Sequence, residues 1–380
     1  MIALVPRKEV PLSLTIMTPL VAVGLTLLIG AVIFGVLGYS PTGALYEFFV
    51  APISRPDQIG DLFVKACPLI IIASGLVFAY RANVWNIGAE GQLIFGAVFS
   101  GWVALGYPDL PVYLMMPAMV IAGMVGGLLW AMIPAILKTR FNTNEILVSL
   151  MLTYVATLFI DWLVRGPWRD PMSFGFPLTK MYADAALIPL VSLPGIGTLG
   201  QLHWGVIGAL LITAIAWFVL SRMLLGFQVK VMGDAPRAGR FAGFSPSLVT
   251  IIVLAISGAA AGLAGMVEVS ANIGQLQPNI SFGYGFTAII VAFLARLNPL
   301  GVIAAGLIVA LAELGGDSAQ IALGMPKVVT GVFKGILLFM LLAGETFNRF
   351  HVSINGHEIR LPFFGGASGK SGAQDSGGAA

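Results

Sequence analysis

The stretch GFQVKVMGDAPRAGRFAGF, residues 226–244, separates two long hydrophobic halves of the sequence. It is the most basic internal break in the chain, because it carries three positive charges among small residues: Lys230, Arg237 and Arg240. Pro236 fits the first turn of a short helix, and Asp234 is placed to cap that helix. Such a segment can be a connecting loop, a patch for anionic lipid headgroups or a docking surface. The small and basic residues around a short helix favour docking of a soluble partner, with a plain connecting loop as the alternative.

The composition predicts an integral membrane protein. Of 380 residues, 58% are hydrophobic and only 10% are charged, and the mean hydropathy is +0.95. Soluble domains average about 25% charged residues. The apolar runs repeat at about 20 residues, the length that an α-helix needs to cross about 30 Å of hydrocarbon. Strands of a membrane barrel would alternate over about 10 residues instead. The predicted fold class is therefore all-α and polytopic.

The apolar runs divide the chain into about ten transmembrane helices. They cover roughly residues 12–37, 62–80, a third ending near 105, 112–137, a fifth ending near 164, 204–225, 248–269, 286–297, 302–314 and 328–342. The resulting organisation is a cytoplasmic N-terminus (1–11), a first transmembrane half of six helices (12–225), a basic cytoplasmic segment (226–247), a second transmembrane half of four helices (248–345) and a cytoplasmic tail (346–380). The tail, 346–380, is predicted to be disordered, because its end is rich in glycine and serine.

The distribution of positive charge predicts the orientation of the chain. Most of the 20 lysines and arginines fall in the segments that ten crossings place on one side, which the positive-inside rule assigns to the cytoplasm. Both termini are then cytoplasmic. A local echo between RANVWNIGAEGQLIFGA (81–97) and RLNPLGVIAAGLIVA (296–310) suggests duplicated halves, as in many transporters. Chance similarity between glycine-rich segments is the alternative.

Several kinds of chemistry are not indicated by the sequence. Cys67 is the only cysteine and the three histidines are scattered, so neither a disulfide nor a metal site is predicted. The GKS in the tail lacks the glycine that a phosphate-binding loop requires five residues earlier, where Phe364 stands. No basic block interleaved with aromatic residues indicates nucleic acid. The chain is therefore expected to carry no cofactor and to catalyse no reaction itself.

Four separated motifs together resemble one family. They are NIGAEGQLIFGA (86–97), NEILVSLMLTY (144–154), GFQVKVMGDAPRAGRFAGF (226–244) and GYGFTAIIVAFLARLNPLG (283–301). The family is that of the membrane permease subunits of binding-protein-dependent ABC importers, which serve ribose, branched-chain amino acids and nucleosides. The likeness is greatest to the nucleoside and simple-sugar branch, and it covers nearly the whole chain except the termini.

The resemblance implies a set of partners. A second homologous permease, usually a different chain, would complete the path across the bacterial inner membrane. A separate ABC ATPase would bind ATP and Mg, and an extracytoplasmic lipoprotein would deliver the solute. The basic segment would couple the permease to the ATPase through Gly226, Phe227, Lys230, Gly233, Asp234, Pro236, Arg237, Ala238, Arg240 and Gly243. The sequence departs from the family pattern at Lys230, Asp234, Gly239, Phe244 and Thr153, and these departures leave the exact substrate open.

The candidate residues of the translocation path are polar groups between apolar helices: Asn86, Glu90, Gln92, Glu268 and Gln275. A polar group in lipid is costly, and that cost is avoided if the group faces a wet cavity. Structural hydrogen bonds between helices are the alternative for each one. The second functional hypothesis is a stand-alone secondary transporter, whose coupling protons or ions would bind Glu90, Glu268, Glu313 and Asp317. A channel is the third.

Overall fold

The computed structural model of this protein describes residues 2–6, 12–193, 197–354 and 357–358, and it is mostly helical. Six of the described helices are long and apolar enough to cross a membrane. Two shorter apolar helices, Val21–Val36 and Tyr284–Leu294, accompany them. The chain is thus a multi-pass helical membrane protein, as the composition predicts.

The helices, in chain order, are α1 (Leu12–Val36), α2 (Pro41–Phe49), α3 (Pro56–Arg81), α4 (Ala89–Gly106), α5 (Val112–Phe141), α6 (Glu145–Arg165), α7 (Gly205–Arg222), α8 (Leu224–Asp234), α9 (Pro236–Phe241), α10 (Pro246–Val267), α11 (Tyr284–Leu294), α12 (Pro299–Leu323) and α13 (Lys327–Arg349). Two 3₁₀ turns, Ala51–Ile53 and Asp184–Ala186, and one π-helical turn, Glu268–Ile273, complete the helical structure of the described residues.

Each of the ten predicted apolar segments coincides with a helix, but the lengths differ. Helix α12 continues nine residues beyond the predicted end at residue 314, past Asp317 to Leu323. Helix α11 has only 11 residues, about 16 Å, which is half of the membrane's hydrocarbon thickness. The polar residues in α12 hid its length in the sequence. The number of crossings therefore stays a prediction.

Three helices cross through glycines at the centre of the fold. A Cβ on Gly262 of α10 would overlap the backbone of Gly123 and Gly127 of α5, and Gly96 of α4 lies against the backbone of Gly262. Small residues at these positions let the helix backbones touch, as in other membrane helix pairs. The glycines of α5 and α10 therefore serve close packing between helices. Cys67 of α3 is fully enclosed in the same core.

Short strands depart from the all-α prediction. β1 (Ile2–Pro6) pairs antiparallel with β4 (Phe350–Ile354), and β4 pairs with β5 (His357–Glu358). The strand before α1 and the strands after α13 therefore lie together. Residues 359–380 of the tail predicted to be disordered, and residues 7–11 of the predicted N-terminal segment, lie outside the described residues.

A second pair of strands closes the start of α3. β2 (Leu190–Leu193) and β3 (Gly197–His203) form a hairpin in the segment that connects α6 and α7. The Asp61 carboxylate of α3 accepts a hydrogen bond of 2.9 Å from the backbone N–H of Gln201. Gly60 lies against the carbonyl of Leu199. Hydrogen bonds to α3 thus stabilise this hairpin, and hydropathy gives no signal for them.

The hairpin of β2 and β3 contains a buried histidine, His203, from which we predict that stability depends on pH. Nδ1 of His203 accepts a hydrogen bond from the N–H of Gly205, whereas Nε2 is buried without a partner among the described residues. Burial lowers the pKa of His203 to about 4. The unfolded chain binds this proton near pH 6.5, so stability falls as the pH drops from 6.5 towards 4. We expect the thermal midpoint in detergent to fall by less over this range in His203→Gln than in the wild type. Equal slopes would contradict this assignment.

Candidate functional site

The basic segment forms two short helices with two distinct faces. α8 and α9 meet at Ala235, whose backbone is non-helical (φ −144°, ψ 69°). Pro236 stands in the first turn of α9, as predicted. The prediction that Asp234 caps α9 is wrong, because Ala235 occupies the cap position and no side chain caps the helix there. Asp234 is instead the last residue of α8, a helix of 11 residues where the sequence predicts only one short helix that begins near Pro236.

The inner face of the basic segment packs on the rest of the protein. Its buried residues include Gly226, Val229, Met232 and Gly239. Gly233 of α8 lies directly against the backbone carbonyl of Arg81, the last residue of α3. Among the predicted coupling residues, the structure therefore assigns Gly226 and Gly233 to packing.

The outer face of the basic segment is open. Its exposed side chains are Phe227, Lys230, Asp234, Pro236, Arg237, Ala238, Arg240 and Phe241. Phe241 is 95% exposed, and the sequence reasoning did not single it out. A large apolar residue in a short basic helix is a signal that could have found it. Gly243, also exposed, has φ +84° and turns the chain from α9 into α10, a conformation that suits glycine.

Two of the predicted path residues form a buried amide pair. Asn86 and Gln92 exchange two hydrogen bonds of 2.9 and 3.0 Å. The Asn86 amide nitrogen also donates to Ser257 Oγ of α10 at 2.8 Å. The backbone carbonyl oxygen of Asn86 accepts a hydrogen bond of 2.9 Å from the Tyr80 hydroxyl. Both amides are almost fully buried, so they hold the start of α4 against α10.

Glu90 joins the start of α4 to the start of α11. Its two carboxylate oxygens accept backbone N–H bonds from Gly283 (3.2 Å) and Gly285 (2.6 Å). A Cβ on Gly285 would overlap the backbone of Glu90, so only a glycine permits this approach. The carboxylate thus satisfies the free N–H groups at the helix N-terminus and complements its dipole.

Glu268 occupies the π-helical turn that continues α10. Its side chain is 95% enclosed and accepts a hydrogen bond of 2.8 Å from the Asn272 amide. The positive charge of Lys65 on α3 acts on it. Lys65 also forms an ion pair with Asp317 of α12, with 3.3 Å between Nζ and Oδ2. π-helical turns occur often at functional sites.

Tyr284 is the first residue of α11. The negative charges of four carboxylates, those of Glu90, Glu268, Glu313 and Asp317, act on its hydroxyl. We call these five residues, together with Lys65, the polar cluster. The sequence reasoning missed Lys65 and Tyr284 as partners of the acidic residues. A lysine in an otherwise apolar helix was the available signal for the first.

Gln275 is the predicted path residue that lies apart from the others. It is partly exposed and belongs to the non-helical residues 274–283. The backbone N–H of its neighbour Leu276 donates a hydrogen bond of 2.9 Å to the hydroxyl of Thr179, which lies in the segment that connects α6 and α7. Within the described part of the chain, no hydrogen bond joins Gln275 to Asn86, Glu90, Gln92 or Glu268.

A metal site is not formed by the described residues. Among them, no group of three or more histidine, cysteine, aspartate or glutamate side chains is arranged to hold a metal ion. The carboxylates of Glu90, Glu268 and Asp317 interact with backbone N–H groups, an amide and a lysine respectively.

Comparisons with known proteins place these features in one family. Residues 58–342 match the family described as branched-chain amino acid transport system / permease component. The glucose ABC transporter permease protein TsgB13 of Haloferax volcanii is 34% identical over 354 residues, 92% of this chain and 93% of the relative. The guanosine ABC transporter permease protein NupP of Bacillus subtilis is 30% identical over 327 residues, 86% and 92% of the two chains. The nucleoside ABC transporter permease protein NupB of Lactococcus lactis is 29% identical over 331 residues, 86% and 90%.

Proposed function

This chain belongs to the family of ABC transporter permease components, and from that premise we propose that it imports a nucleoside or a simple sugar. The glucose and nucleoside permeases to which it is similar support this class of solute. Both kinds of solute are small and rich in hydroxyl groups, so they need a polar path through the bilayer. The chain would supply one half of that path.

The single observation that carries the proposal is the exposed outer face of the basic segment. Helices α8 and α9 present Lys230, Arg237 and Arg240 beside the exposed ring of Phe241. Arginine and aromatic side chains are the residue types that are enriched in protein–protein interfaces, so their exposure together on this face supports the docking of a partner. The occupant is an ABC ATPase that carries ATP and Mg, because permease components of ABC transporters work with a separate ATPase.

The further partners follow from the same role. A second homologous permease, as a heterodimer, completes the path, and an extracytoplasmic lipoprotein delivers the solute on the other side. The assembly lies in the bacterial inner membrane. The binding protein would face the segment between α6 and α7, which includes the hairpin of β2 and β3. The hydrogen bond from the Gln201 N–H to the Asp61 carboxylate holds that segment against α3.

The proposed topology has ten crossings with both termini in the cytoplasm. The pairing of β1 with β4 supports an even number of crossings, because it brings the strand before α1 and the strand after α13 to the same side. Helix α11 covers only half of the membrane, so residues 274–283 complete the eighth crossing in a non-helical conformation. Irregular backbone at that depth is tolerated where protein or a cavity surrounds it. A duplication of the two halves stays a prediction.

The proposed mechanism is alternating access. Closure of the ATPase on ATP pushes α8 and α9, tilts the two permeases and opens the path to the loaded binding protein, and hydrolysis resets it. Within the path, Glu268 and Gln275 are the candidates to meet the solute. Asn86, Glu90 and Gln92 support the path, because their polar side-chain groups are already hydrogen-bonded to protein.

Reconstitution tests the proposed function against the secondary transporter. We expect the purified chain in liposomes to show neither ATP hydrolysis nor uptake of labelled glucose or guanosine under an ion gradient. Uptake should appear only when the second permease, the ATPase and the binding protein are present with ATP. The matched control is the same complex with an ATPase that cannot hydrolyse ATP. Uptake by the chain alone, driven by a proton or sodium gradient, would overturn the importer proposal.

A further inference from the structure

We infer that α11 is a strut, clamped at both ends by Arg81 and Glu90, that carries movement of the basic segment to the polar cluster. The inference rests on the proposed coupling role of α8 and α9. Neither the apolar pattern nor the family of the chain assigns these two residues to such a task. They act through other groups, so they are positioning residues.

The first clamp connects α8 to the end of α11. Gly233 of α8 lies against the backbone carbonyl of Arg81, with no room for a side chain between them. The Arg81 side chain donates from Nε to the carbonyl of Leu297 at 2.8 Å. A displacement of α8 is therefore transmitted to Arg81 by direct backbone contact, and from Arg81 to the turn that follows α11 by a charge-assisted hydrogen bond.

The turn held by Arg81 is conformationally unusual. Arg296 and Leu297 have φ values of +54° and +56°, the left-handed region that residues with a side chain seldom adopt. Two such residues in succession persist only where the surrounding structure holds them. The hydrogen bond from Arg81 is one such restraint. The joint between α11 and α12 is thus fixed by α3 rather than by its own preference.

The second clamp holds the opposite end of α11. The Glu90 carboxylate binds the N–H groups of Gly283 and Gly285, and Gly285 packs on the backbone of Glu90 itself. Arg81 and Glu90 are the flanks of one short connection between α3 and α4. That connection is itself tied to α10 by the bond from Asn86 to Ser257.

The geometry gives the strut a consequence at the polar cluster. Helix α11 is a single stretch of 11 residues, about 16 Å, and short helices move as rigid bodies. Tyr284 is its first residue, so any movement of α11 shifts Tyr284 relative to Asp317 of α12 and Glu268 of α10. Work done on α8 at the cytoplasmic surface thereby changes the electrostatics of the polar cluster about half a membrane away.

The test measures movement at the far end of the strut. A cysteine reporter replaces Phe282, which is 66% exposed beside the start of α11, in a chain with Cys67→Ala. In the assembled transporter in liposomes, the rate of its reaction with a charged methanethiosulfonate is measured with and without ATP and vanadate. We expect the ratio of the two rates to differ clearly from one, because movement of α11 changes the exposure of this residue. Arg81→Gln and Glu90→Gln should each bring that ratio close to one, and Arg81→Lys should restore part of it.

The control and the possible outcomes separate this inference from the proposed function. Arg165→Gln removes an exposed arginine on α6 that pairs only with Asp161 among the described residues, and it should keep the full ratio. If both Arg81→Gln and Glu90→Gln keep the wild-type ratio in complexes that contain the ATPase, the strut is refuted while the importer stands. If the wild-type chain does not assemble with an ATPase, the proposed function fails and the strut fails with it.

Discussion

Arg237→Glu combined with Arg240→Glu is expected to reduce ATP-driven uptake by about 100-fold or more. Both side chains are exposed on α9, and reversing them places acidic groups where the partner must present complementary charge. Losing one charged pair in an interface costs about 2 to 5 kcal/mol, so two reversals exceed what docking can tolerate. Uptake by the reconstituted complex and co-purification of the ATPase are the two measurements.

The matched control carries the same change of charge on the surface proposed to face the outside of the membrane. Arg165→Glu with Arg169→Glu alters two exposed arginines of the proposed outer surface. Co-purification of the ATPase should survive there and be lost in the first variant, while both variants accumulate in membranes at wild-type amounts. An inner variant that still binds the ATPase and transports at the normal rate would remove the basic segment from the coupling role.

Gly262→Val is expected to prevent stable packing of the transmembrane core. The added Cβ would overlap the backbone of Gly123 and Gly127, and backbone cannot rotate away as a side chain can. Overpacking commonly costs about 1 to 3 kcal/mol, and separation of two helices belongs at or above the top of that range. The measurement is the fraction of purified protein that elutes as a single species from size exclusion in detergent, followed by its thermal midpoint.

Gly208→Val is the matched control for the crossing. It makes the same replacement in α7, where a Cβ on Gly208 meets no atom within 4 Å. Both variants share the same change in helix propensity, so any difference between them reports the contact of α10 with α5. Similar elution and similar thermal midpoints would show that the glycine crossing does not limit stability.

Hydropathy was sufficient to locate ten of the thirteen described α-helices, because each apolar run must satisfy its own backbone hydrogen bonds in lipid. It was not sufficient for their ends. Helix α12 continues through Asp317, since Lys65 on another helix neutralises that carboxylate. Helix α11 is short because Glu90, far away in the sequence, caps its start. A single sequence does not contain the spatial pairing on which either boundary depends.

The candidate site shows the same division. The basic segment was visible as charge in an apolar chain, and its exposed arginines were predicted. The packing role of Gly233 was not, because it depends on the position of the Arg81 carbonyl. Asn86, Glu90, Gln92 and Glu268 were found as costly polar groups, but their partners came only from the tertiary structure. The resemblance to permeases named the role, and the contacts determined how each residue takes part.

The enclosed position of Cys67 has a practical consequence for oxidation and for the study of unfolding. The only thiol of the chain lies in the core of α3 with no exposed surface. Peroxide and alkylating compounds reach it only after the helices have separated, so the native chain should lose no activity through modification of this sulfur. The fraction of Cys67 that reacts with a maleimide would then equal the fraction of molecules that have unfolded. The rate of this reaction would measure the unfolding rate of the native state in the bilayer.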